Sequence, residues 1–218
     1  MPKWNYGDAY LRHPIKDNET AVFENGSRLK VHDIFNPLPD FMRSADVIFV
    51  DPPWNIANLK TFYTKASQEC FKTFEDFYKR LFVCIADISP LVCYVEMGKQ
   101  YLAESILEMK KIYPAVTFYN SSYYHKTNNI CYIILGTKKN KKMALDYVDE
   151  EDAIAHICQA EDYNCVGDLC MGRGLVAMGA AKNSKKFVGT ELNSRRLSVA
   201  MEKLYKLGLS YATERDVK

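Results

Sequence analysis

The sequence contains no long apolar stretch and has almost no net charge. No run approaches the roughly 20 apolar residues that span a bilayer, and residues 1–19 contain no apolar core of signal-peptide length. The 29 basic and 27 acidic side chains leave a formal charge of +2. Overall charge therefore does not indicate a nucleic-acid binder, and any contact with nucleic acid must come from local clusters.

Metal-ligand spacing and flexible linkers are also missing. None of the seven cysteines forms a Cys-x-x-Cys pair, and most lie within apolar runs. This pattern is typical of buried, reduced thiols and predicts a cytoplasmic protein without a metal site. The chain has no internal repeat and no Gly/Ser-rich or Pro-rich linker. Its 218 residues suit one domain, and we expect an N-terminal arm over residues 1–27 and a single domain over residues 28–218.

Strand patterns alternate with helix patterns along most of the chain. The segment Asp46–Asp51 is almost wholly apolar, which is typical of a parallel strand buried on both faces. Phe74–Ile88 has apolar residues at helical spacing and ends at Ser89-Pro90, a helix stop. The alternation predicts an α/β sandwich with a mostly parallel sheet covered on both faces and an antiparallel hairpin at one edge.

The remaining elements follow from the same patterns. The polar segment Asn55–Thr73 is predicted to be a mobile loop, and residues Lys126–Asn129 are predicted to be the hairpin turn. Further strands are predicted over Leu29–Ile34, Leu91–Glu96, Val116–His125, Ile130–Thr137, Tyr163–Leu169 and Phe187–Leu192, and further helices over Gln100–Ile112, Glu151–Ala160, Gly172–Asn183 and Ser194–Leu207.

A glycine-rich turn follows one predicted strand, and an acidic residue ends the next. The turn runs from Asp168 through Gly172 and Gly174, and Glu191 lies about 20 residues further on, at a distance that suits a ribose diol. Gly179 falls outside the spacing of a dinucleotide fingerprint, so the pattern favours a smaller nucleoside ligand. The alternative is a tight turn whose glycines only permit packing.

The tetrapeptide Asp51-Pro52-Pro53-Trp54 follows the buried strand. Each proline fixes its φ and has no N–H to donate, so the carbonyls remain as acceptors beside a carboxylate. The indole of Trp54 offers a flat face on which a base can stack, worth about 1–3 kcal/mol. The alternative is a surface turn with Trp54 packed into the core.

Together, these motifs resemble a known enzyme family. Asp51-Pro52-Pro53-Trp54-Asn55-Ile56 resembles the catalytic motif of DNA amino-methyltransferases, and Asp168–Gly174 with Glu191 resembles their cofactor motifs. The catalytic motif precedes the cofactor motif, which is the permuted order of the β class. Aspartate in the first position is usual for adenine N6 enzymes, whereas cytosine N4 enzymes more often have serine.

The resemblance implies an enzyme that uses S-adenosylmethionine to methylate N6 of adenine in DNA, after the base has been flipped out of the duplex. Asp51 and the Pro52 carbonyl would accept hydrogen bonds from the target amine. Glu191 would hold the cofactor ribose, and Asp168, Gly172 and Gly174 would line its methionine part. Asp33 resembles the family's contact to the cofactor adenine, although a surface Asx turn is an equal alternative. A Rossmann-like methyltransferase sandwich is the implied fold.

The chain departs from the family in two places. The residues Asp168-Leu169-Cys170 replace the usual Asp-Pro-Phe. No target-recognition domain fits between Thr137 and Glu151, so recognition would fall to the Asn55–Thr73 loop, the arm, the basic run 138–142 or a second copy of the chain or another subunit. His125 and Lys126 add to that basic run, which is otherwise an ordinary solvated loop.

The sequence leaves four alternatives to weigh against this function. Trp54 in the last motif position also occurs in messenger-RNA adenosine methyltransferases, so RNA is an alternative substrate, as is N4 of cytosine. Methylation of a protein glutamine is disfavoured, because that family has asparagine in place of Asp51 and lacks the permuted order. An inactive nucleic-acid-binding subunit would usually lose the tetrapeptide or the glycines, and this chain keeps both.

Overall fold

The computed structural model describes residues 6–17, 19–122, 130–139, 149–160 and 162–215. The described strands are β1 (Glu19–Phe23), β2 (Arg28–Val31), β3 (Val47–Val50), β4 (Val92–Met97), β5 (Ala115–Ser122), β6 (Ile130–Thr137), β7 (Cys165–Asp168), β8 (Lys186–Glu191) and β9 (Tyr211–Arg215). The described helices are α1 (Ala9–Arg12), α2 (Ile56–Lys65), α3 (Phe74–Ile88), α4 (Leu102–Ile112), α5 (Glu150–Gln159), α6 (Leu175–Lys182) and α7 (Ser194–Lys206).

All these strands join one sheet in the order β5-β6-β4-β3-β7-β8-β2-β1-β9. The five central strands, from β4 to β2, are parallel to one another. Antiparallel pairs flank this block on both sides, β5 and β6 at one edge and β1 and β9 at the other. The predicted α/β class and hairpin are confirmed, but the sheet is mixed rather than mostly parallel, and antiparallel pairing occurs at both edges.

Strand β3 shows why the sheet is covered on both faces. All four of its residues are buried, and successive side chains point to opposite faces of a strand. Val47 and Phe49 pack in the layer formed with α5, α6 and α7. Ile48 and Val50 pack in the layer formed with α2, α3 and α4. The continuous apolar run therefore fills two cores at once.

The helices that flank residue 73 differ in how well the sequence predicts them. Helix α3 spans the predicted Phe74–Ile88, because Thr73 and Asp76 form a reciprocal capping box and Ser89 ends the helix in the left-handed region. The loop predicted over Asn55–Thr73 is wrong for its first half, which is helix α2. The Asn55 side chain caps that helix by accepting from the Asn58 N–H over 2.9 Å.

Two strands, β1 and β9, lie where none is predicted. Strand β1 belongs to the N-terminal segment and pairs with both β2 and β9, which places β2 inside the sheet rather than at its edge.

The predicted hairpin turn, with His125 and Lys126, lies outside the described residues, as do positions 140–142 of the basic run. No helix among the described residues is long and apolar enough to cross a membrane.

Candidate active site

A pocket of about 530 Å³ lies at the carboxyl ends of the central parallel strands. This edge is where open α/β sheets bind ligands, because loops that leave adjacent strands in different directions open a crevice there. Six of the nine residues predicted for the site line this pocket: Asp33, Asp51, Pro53, Asp168, Gly172 and Glu191. The structure therefore brings together motifs that are far apart in the sequence.

Asp51 follows β3 and faces the pocket. Its Oδ1 accepts a hydrogen bond from Trp54 Nε1 over 3.1 Å. Desolvation, with the nearby Glu150 carboxylate, raises the pKa of Asp51 to about 7. The Trp54 hydrogen bond and the positive charge of Arg196 oppose that rise. Asp51 can therefore change its protonation state near neutral pH.

The other members of the tetrapeptide lie differently around Asp51. Pro53 lines the pocket, whereas Pro52 is buried outside the lining. Trp54 is half-buried and packs its ring on the backbone of Gly98, where an added Cβ would lie 3.0 Å from Trp54 Cε3. Gly98 thus lets the indole approach the chain closely enough to reach Asp51.

Gly172 and Glu191 join the turn after β7 to the end of β8. The Gly172 N–H donates to Glu191 Oε2 over 2.7 Å, and the Asn193 N–H donates to Oε1 over 2.9 Å. Gly172 has a φ of +54°, which favours glycine. Burial raises the pKa of Glu191, while Arg196 and the N–H donors oppose the rise. Glu191 therefore supports the glycine turn in addition to facing the pocket.

Gly174 has a packing role in this structure. It lies outside the pocket lining and has a φ of +79°. A Cβ at this position would lie 2.7 Å from the Cβ of Ala200 on α7. The glycine therefore allows the start of α6 to approach α7.

Asp168 and Asp33 are each held by a turn of the main chain. Asp168 is buried and accepts from the Cys170 N–H over 2.9 Å; burial, then the Asp51 and Glu191 carboxylates, raise its pKa well above the usual value. Asp33 Oδ1 accepts from the Phe35 N–H over 3.0 Å, so the Asx turn is present, and the same residue also lines the pocket. The Asx turn is therefore confirmed, while the contact of Asp33 with a cofactor adenine stays a prediction.

Helix α2 forms one wall of the pocket. Leu59, Phe62, Tyr63 and Lys65 all line it. Tyr63 donates its hydroxyl to Asp33 Oδ1 over 2.8 Å. Asn193 Nδ2 donates to the Lys65 carbonyl over 2.7 Å. The segment predicted to be a loop is thus a helix fixed at two points to the opposite side of the pocket.

Among the charged residues of the lining that sequence reasoning missed are Glu150 and Arg196. Glu150 is the first residue of α5, and the run of acidic residues at the start of that helix was a signal that could have been used. Arg196 lies in the first turn of α7, with its guanidinium 3.3 Å from where a Cβ on Gly172 would be. Nothing in the sequence pattern connects Arg196 with the glycine turn.

A further carboxyl group, Glu96, lies beside Asp51 at the end of β4. The parallel register aligns Val50 with Val95, so Asp51 and Glu96 come next on adjacent strands. Glu96 is 1% exposed, and neither of its oxygens has a hydrogen-bond partner of normal geometry among the described residues. Burial, then the charges of Asp51 and Glu150, raise its pKa to about 9, opposed by the Cys131 thiol. Glu96 is therefore neutral at pH 7.

Comparison with known proteins relates the chain through its fold. No family model matches the sequence, and no curated protein matches it. Among solved structures, M1.HpyAVI in complex with SAM superposes with a TM-score of 0.54 at 14% identity, covering 81% of this chain and 98% of that chain. TTHA0409 from Thermus thermophilus, assigned as a DNA modification methylase and solved with S-adenosyl-L-methionine, gives a TM-score of 0.56 at 13% identity, covering 83% and 94%. The chain shares the fold of these two proteins over most of its length.

Proposed function

We propose that this protein is a methyltransferase that uses S-adenosylmethionine to methylate N6 of adenine in DNA. The observation that carries the proposal is a single pocket that combines Asp51 of the tetrapeptide with Asp168, Gly172 and Glu191 of the glycine turn. The two motifs are far apart in the chain, so only the fold brings them into one pocket. The fold shared with a protein assigned to DNA modification and solved with S-adenosyl-L-methionine supports the same function.

The pocket fits the cofactor in size and charge. Its volume of about 530 Å³ lies within the range of small-molecule sites, about 300–1,000 Å³. Asp51, Glu150, Asp168 and Glu191 contribute carboxyl groups that face one another closely enough to raise the pKa of Asp168. A cation among these groups lowers their mutual repulsion. When bound, S-adenosylmethionine supplies a methyl group on a positively charged sulfur.

Three residues would hold the cofactor. Each oxygen of Glu191 uses one lone pair on a backbone N–H, so the remaining lone pairs can accept from ribose hydroxyls. Gly172 has no side chain between its backbone and the pocket. Both described hydrogen bonds to the Asp33 carboxylate fall on Oδ1, which leaves Oδ2 for the amino group of the cofactor adenine.

Asp51 would orient the target amine. Trp54 occupies Oδ1, so Oδ2 can accept from the exocyclic amine of the base. An exocyclic amine is a poor nucleophile because its lone pair is delocalised into the ring. A hydrogen bond to Asp51 favours a tetrahedral nitrogen, localises that pair and aims it in line at the methyl group. Pro52 lies outside the pocket lining, so the contact expected between its carbonyl and the amine stays a prediction. A carboxyl group with a pKa of about 7 can then take the proton that the methylated nitrogen releases.

Access to Asp51 requires a base outside the stack. Asp51 lines the pocket, whereas the amine of a paired base faces its partner inside the duplex. Flipping a base costs a few kcal/mol, less for a mismatched base. Aspartate at the first motif position is the feature that favours adenine over cytosine as the target.

The test is methyl transfer from tritiated S-adenosylmethionine to unmethylated duplex DNA, followed by nucleoside analysis of the product. We expect N6-methyladenine with the wild type and none with Asp51→Asn, which keeps the shape of the side chain but lacks its charge. Single-stranded RNA and duplexes that contain only G·C pairs serve as competing substrates. Label in N4-methylcytosine, in RNA alone or in protein would contradict the proposed substrate, and the absence of cofactor binding would contradict the proposed activity.

A further inference from the structure

Helix α2 connects the catalytic tetrapeptide to residues that are distant in the chain. One residue separates the helix from Trp54, and its ten residues rise about 15 Å along the axis to Lys65. Two hydrogen bonds hold the far end of the helix. Tyr63 donates its hydroxyl to Asp33 Oδ1 over 2.8 Å. Asn193 Nδ2 donates to the Lys65 carbonyl over 2.7 Å.

Both hydrogen bonds lead to residues that the proposed function gives to the adenosine part of the cofactor. Asp33 is the proposed contact to the adenine, and Tyr63 bonds it directly. Glu191 is the proposed contact to the ribose, and its Oε1 accepts from the Asn193 N–H over 2.9 Å. The same Asn193 therefore contacts Glu191 through its backbone and α2 through its side chain.

The helix has little else to hold it in place. Two of its ten residues are buried, Leu59 and Tyr63, whereas eight of the fifteen residues of α3 are buried. An element with few buried apolar contacts opens more easily than the core. The two donor residues are 5% and 3% exposed, for Tyr63 and Asn193, so an acceptor that loses its donor there is left partly unsatisfied. The position of α2 therefore depends strongly on these two hydrogen bonds.

We propose that Tyr63 and Asn193 are positioning residues that couple the adenosine part of the cofactor to the catalytic tetrapeptide through α2. The inference rests on the proposed function for the identity of the cofactor and of the target base. A cofactor bonded to Asp33 and Glu191 restricts both carboxylates to the orientations that the two positioning residues contact. Bound cofactor therefore stabilises α2 and, with it, the backbone that leads out of the tetrapeptide.

The coupling acts in both directions, because linkage between two binding sites is reciprocal. The factor by which the cofactor tightens binding of the target equals the factor by which the target tightens binding of the cofactor. Such factors are typically about 5–150-fold. The target DNA therefore binds the complex of protein and cofactor more tightly than it binds the protein alone.

The experiment measures the affinity for a fluorescent DNA duplex that the wild type methylates, by anisotropy, with and without saturating S-adenosylhomocysteine. This probe has the adenosine part of the cofactor and no methyl group to transfer. Tyr63→Phe keeps the ring and removes the hydroxyl. Asn193→Ser removes the Nδ2 donor and keeps an oxygen that can cap α7, a position where serine serves about as well as asparagine. Tyr78→Phe is the matched control, since Tyr78 is a buried tyrosine of α3 that donates to Ser105 Oγ over 3.4 Å and does not line the pocket.

We expect S-adenosylhomocysteine to tighten duplex binding at least about fivefold in the wild type and in the control. Tyr63→Phe and Asn193→Ser should reduce this factor toward 1, with duplex affinity in the absence of the probe near that of the wild type. Calorimetric titration of the probe, with and without duplex, should give the same reduced factor. Variants that melt at lower temperature but keep the wild-type factor would overturn the proposal, because their hydrogen bonds would then only stabilise the fold.

A second measurement does not depend on the identity of the target. Trp4, the only other tryptophan of the chain, is replaced with Phe, so that Trp54 is the single emitter. Adenosine, which has no methionine part, should change the emission of Trp54 in this background and should not change it once Tyr63→Phe is added. Adenosine that binds without changing the emission of Trp54 would overturn the coupling.

The two measurements separate this inference from the proposed function. A wild type that methylates no DNA, but whose Trp54 emission responds to adenosine only when the Tyr63 hydroxyl is present, would contradict the proposed substrate and support the coupling. A wild type that binds S-adenosylmethionine and methylates adenine in DNA, with the same coupling factor in all variants, would support the proposed function and contradict the coupling.

Discussion

The indole of Trp54 donates its Nε1 hydrogen to Asp51 Oδ1 over 3.1 Å, so a hydrogen bond joins the last residue of the tetrapeptide to the first. Two prolines between them restrict the backbone to a narrow range of φ. The contact favours the ionised form of Asp51 and leaves the second oxygen free to face the pocket. Trp54 therefore acts on the Asp51 carboxylate.

Replacing Trp54 with Phe tests this contact, because the ring stays and the donor is lost. The hydrogen bond lowers the pKa of Asp51, so its removal should raise that pKa further. We expect methyl transfer at pH 7 to fall severalfold and the acidic limb of the rate profile to move to higher pH. Cofactor affinity measured by calorimetry should not change. A rate reduced equally at every pH would instead indicate loss of base stacking.

The pH dependence of the wild type should reflect Asp51. Because burial and Glu150 raise the pKa of this carboxyl to about 7, the ionised form that accepts from the amine increases as pH rises through that value. We expect single-turnover methyl transfer to rise between about pH 6 and 8 and then level off. Asp51→Asn should lose the activity and the pH dependence together. A flat wild-type profile would contradict the assignment.

Glu191 has two functions that two substitutions should separate. Glu191→Ala removes the acceptor of two buried N–H groups, at a cost of about 1–3 kcal/mol for each unsatisfied donor. Glu191→Gln keeps one acceptor oxygen and the side-chain volume. We expect both to weaken S-adenosylmethionine binding, with the larger loss of thermal stability in the alanine variant. If the glutamine variant binds S-adenosylmethionine with wild-type affinity, the negative charge of Glu191 does not contribute to cofactor binding.

Gly98→Ala should act through Trp54. The added Cβ would lie 3.0 Å from the indole, so the ring must move by a few tenths of an ångström. Overpacking of this kind costs about 1–3 kcal/mol. We expect a lower melting temperature and a methyl-transfer rate near that of Trp54→Phe. The double variant shows whether the effect is shared, because losses that add fully would mean that Gly98 acts independently of the indole.

Glu96 should make the folded state sensitive to alkali. Its pKa is raised to about 9 by burial, above the ordinary value near 4.5 that it has when unfolded. Below the unfolded pKa, Glu96 is protonated in both states and does not lower the free energy of unfolding. As pH rises from there to about 9, the unfolded chain releases a proton that the folded protein retains, so the free energy of unfolding falls. We expect the melting temperature to fall more steeply between pH 6 and 9 in the wild type than in Glu96→Gln. Parallel curves would contradict this.

The sequence predicts elements whose signal is local. Helix α3 has its apolar period within fifteen consecutive residues, and its stop, Ser89-Pro90, follows directly, so both are visible in the sequence. Helix α2 has only two buried residues, Leu59 and Tyr63, and is fixed by hydrogen bonds to Asp33 and Asn193, which are distant in the chain. Strand β9 is almost entirely exposed and is defined by its pairing with β1. Such elements depend on partners that periodicity does not reveal.

The same distinction applies to the pocket. Asp51, Gly172 and Glu191 belong to motifs at or just after strand ends, so their positions in the sequence were enough to predict them as pocket residues. Arg196 and Glu96 carry no motif. Arg196 reaches the pocket because α7 packs back beside the glycine turn. Glu96 is not part of the pocket lining, and the β3–β4 register sets it next to Asp51. Gly174 belongs to the motif but packs against Ala200, so a motif position did not ensure contact with the pocket.

The two edges of the sheet differ in their exposure to intermolecular strand pairing. At one edge β9 presents Glu214 and Arg215, and charged residues on an edge strand oppose the addition of another strand. At the other edge β5 has eight residues, none of them charged, and Phe118 is 46% exposed. Its outer side has a single bridge, between Ser122 and Asp149, among the described residues. Among the described residues, β5 is therefore the edge with less protection against strand addition, and β9 the edge that opposes it.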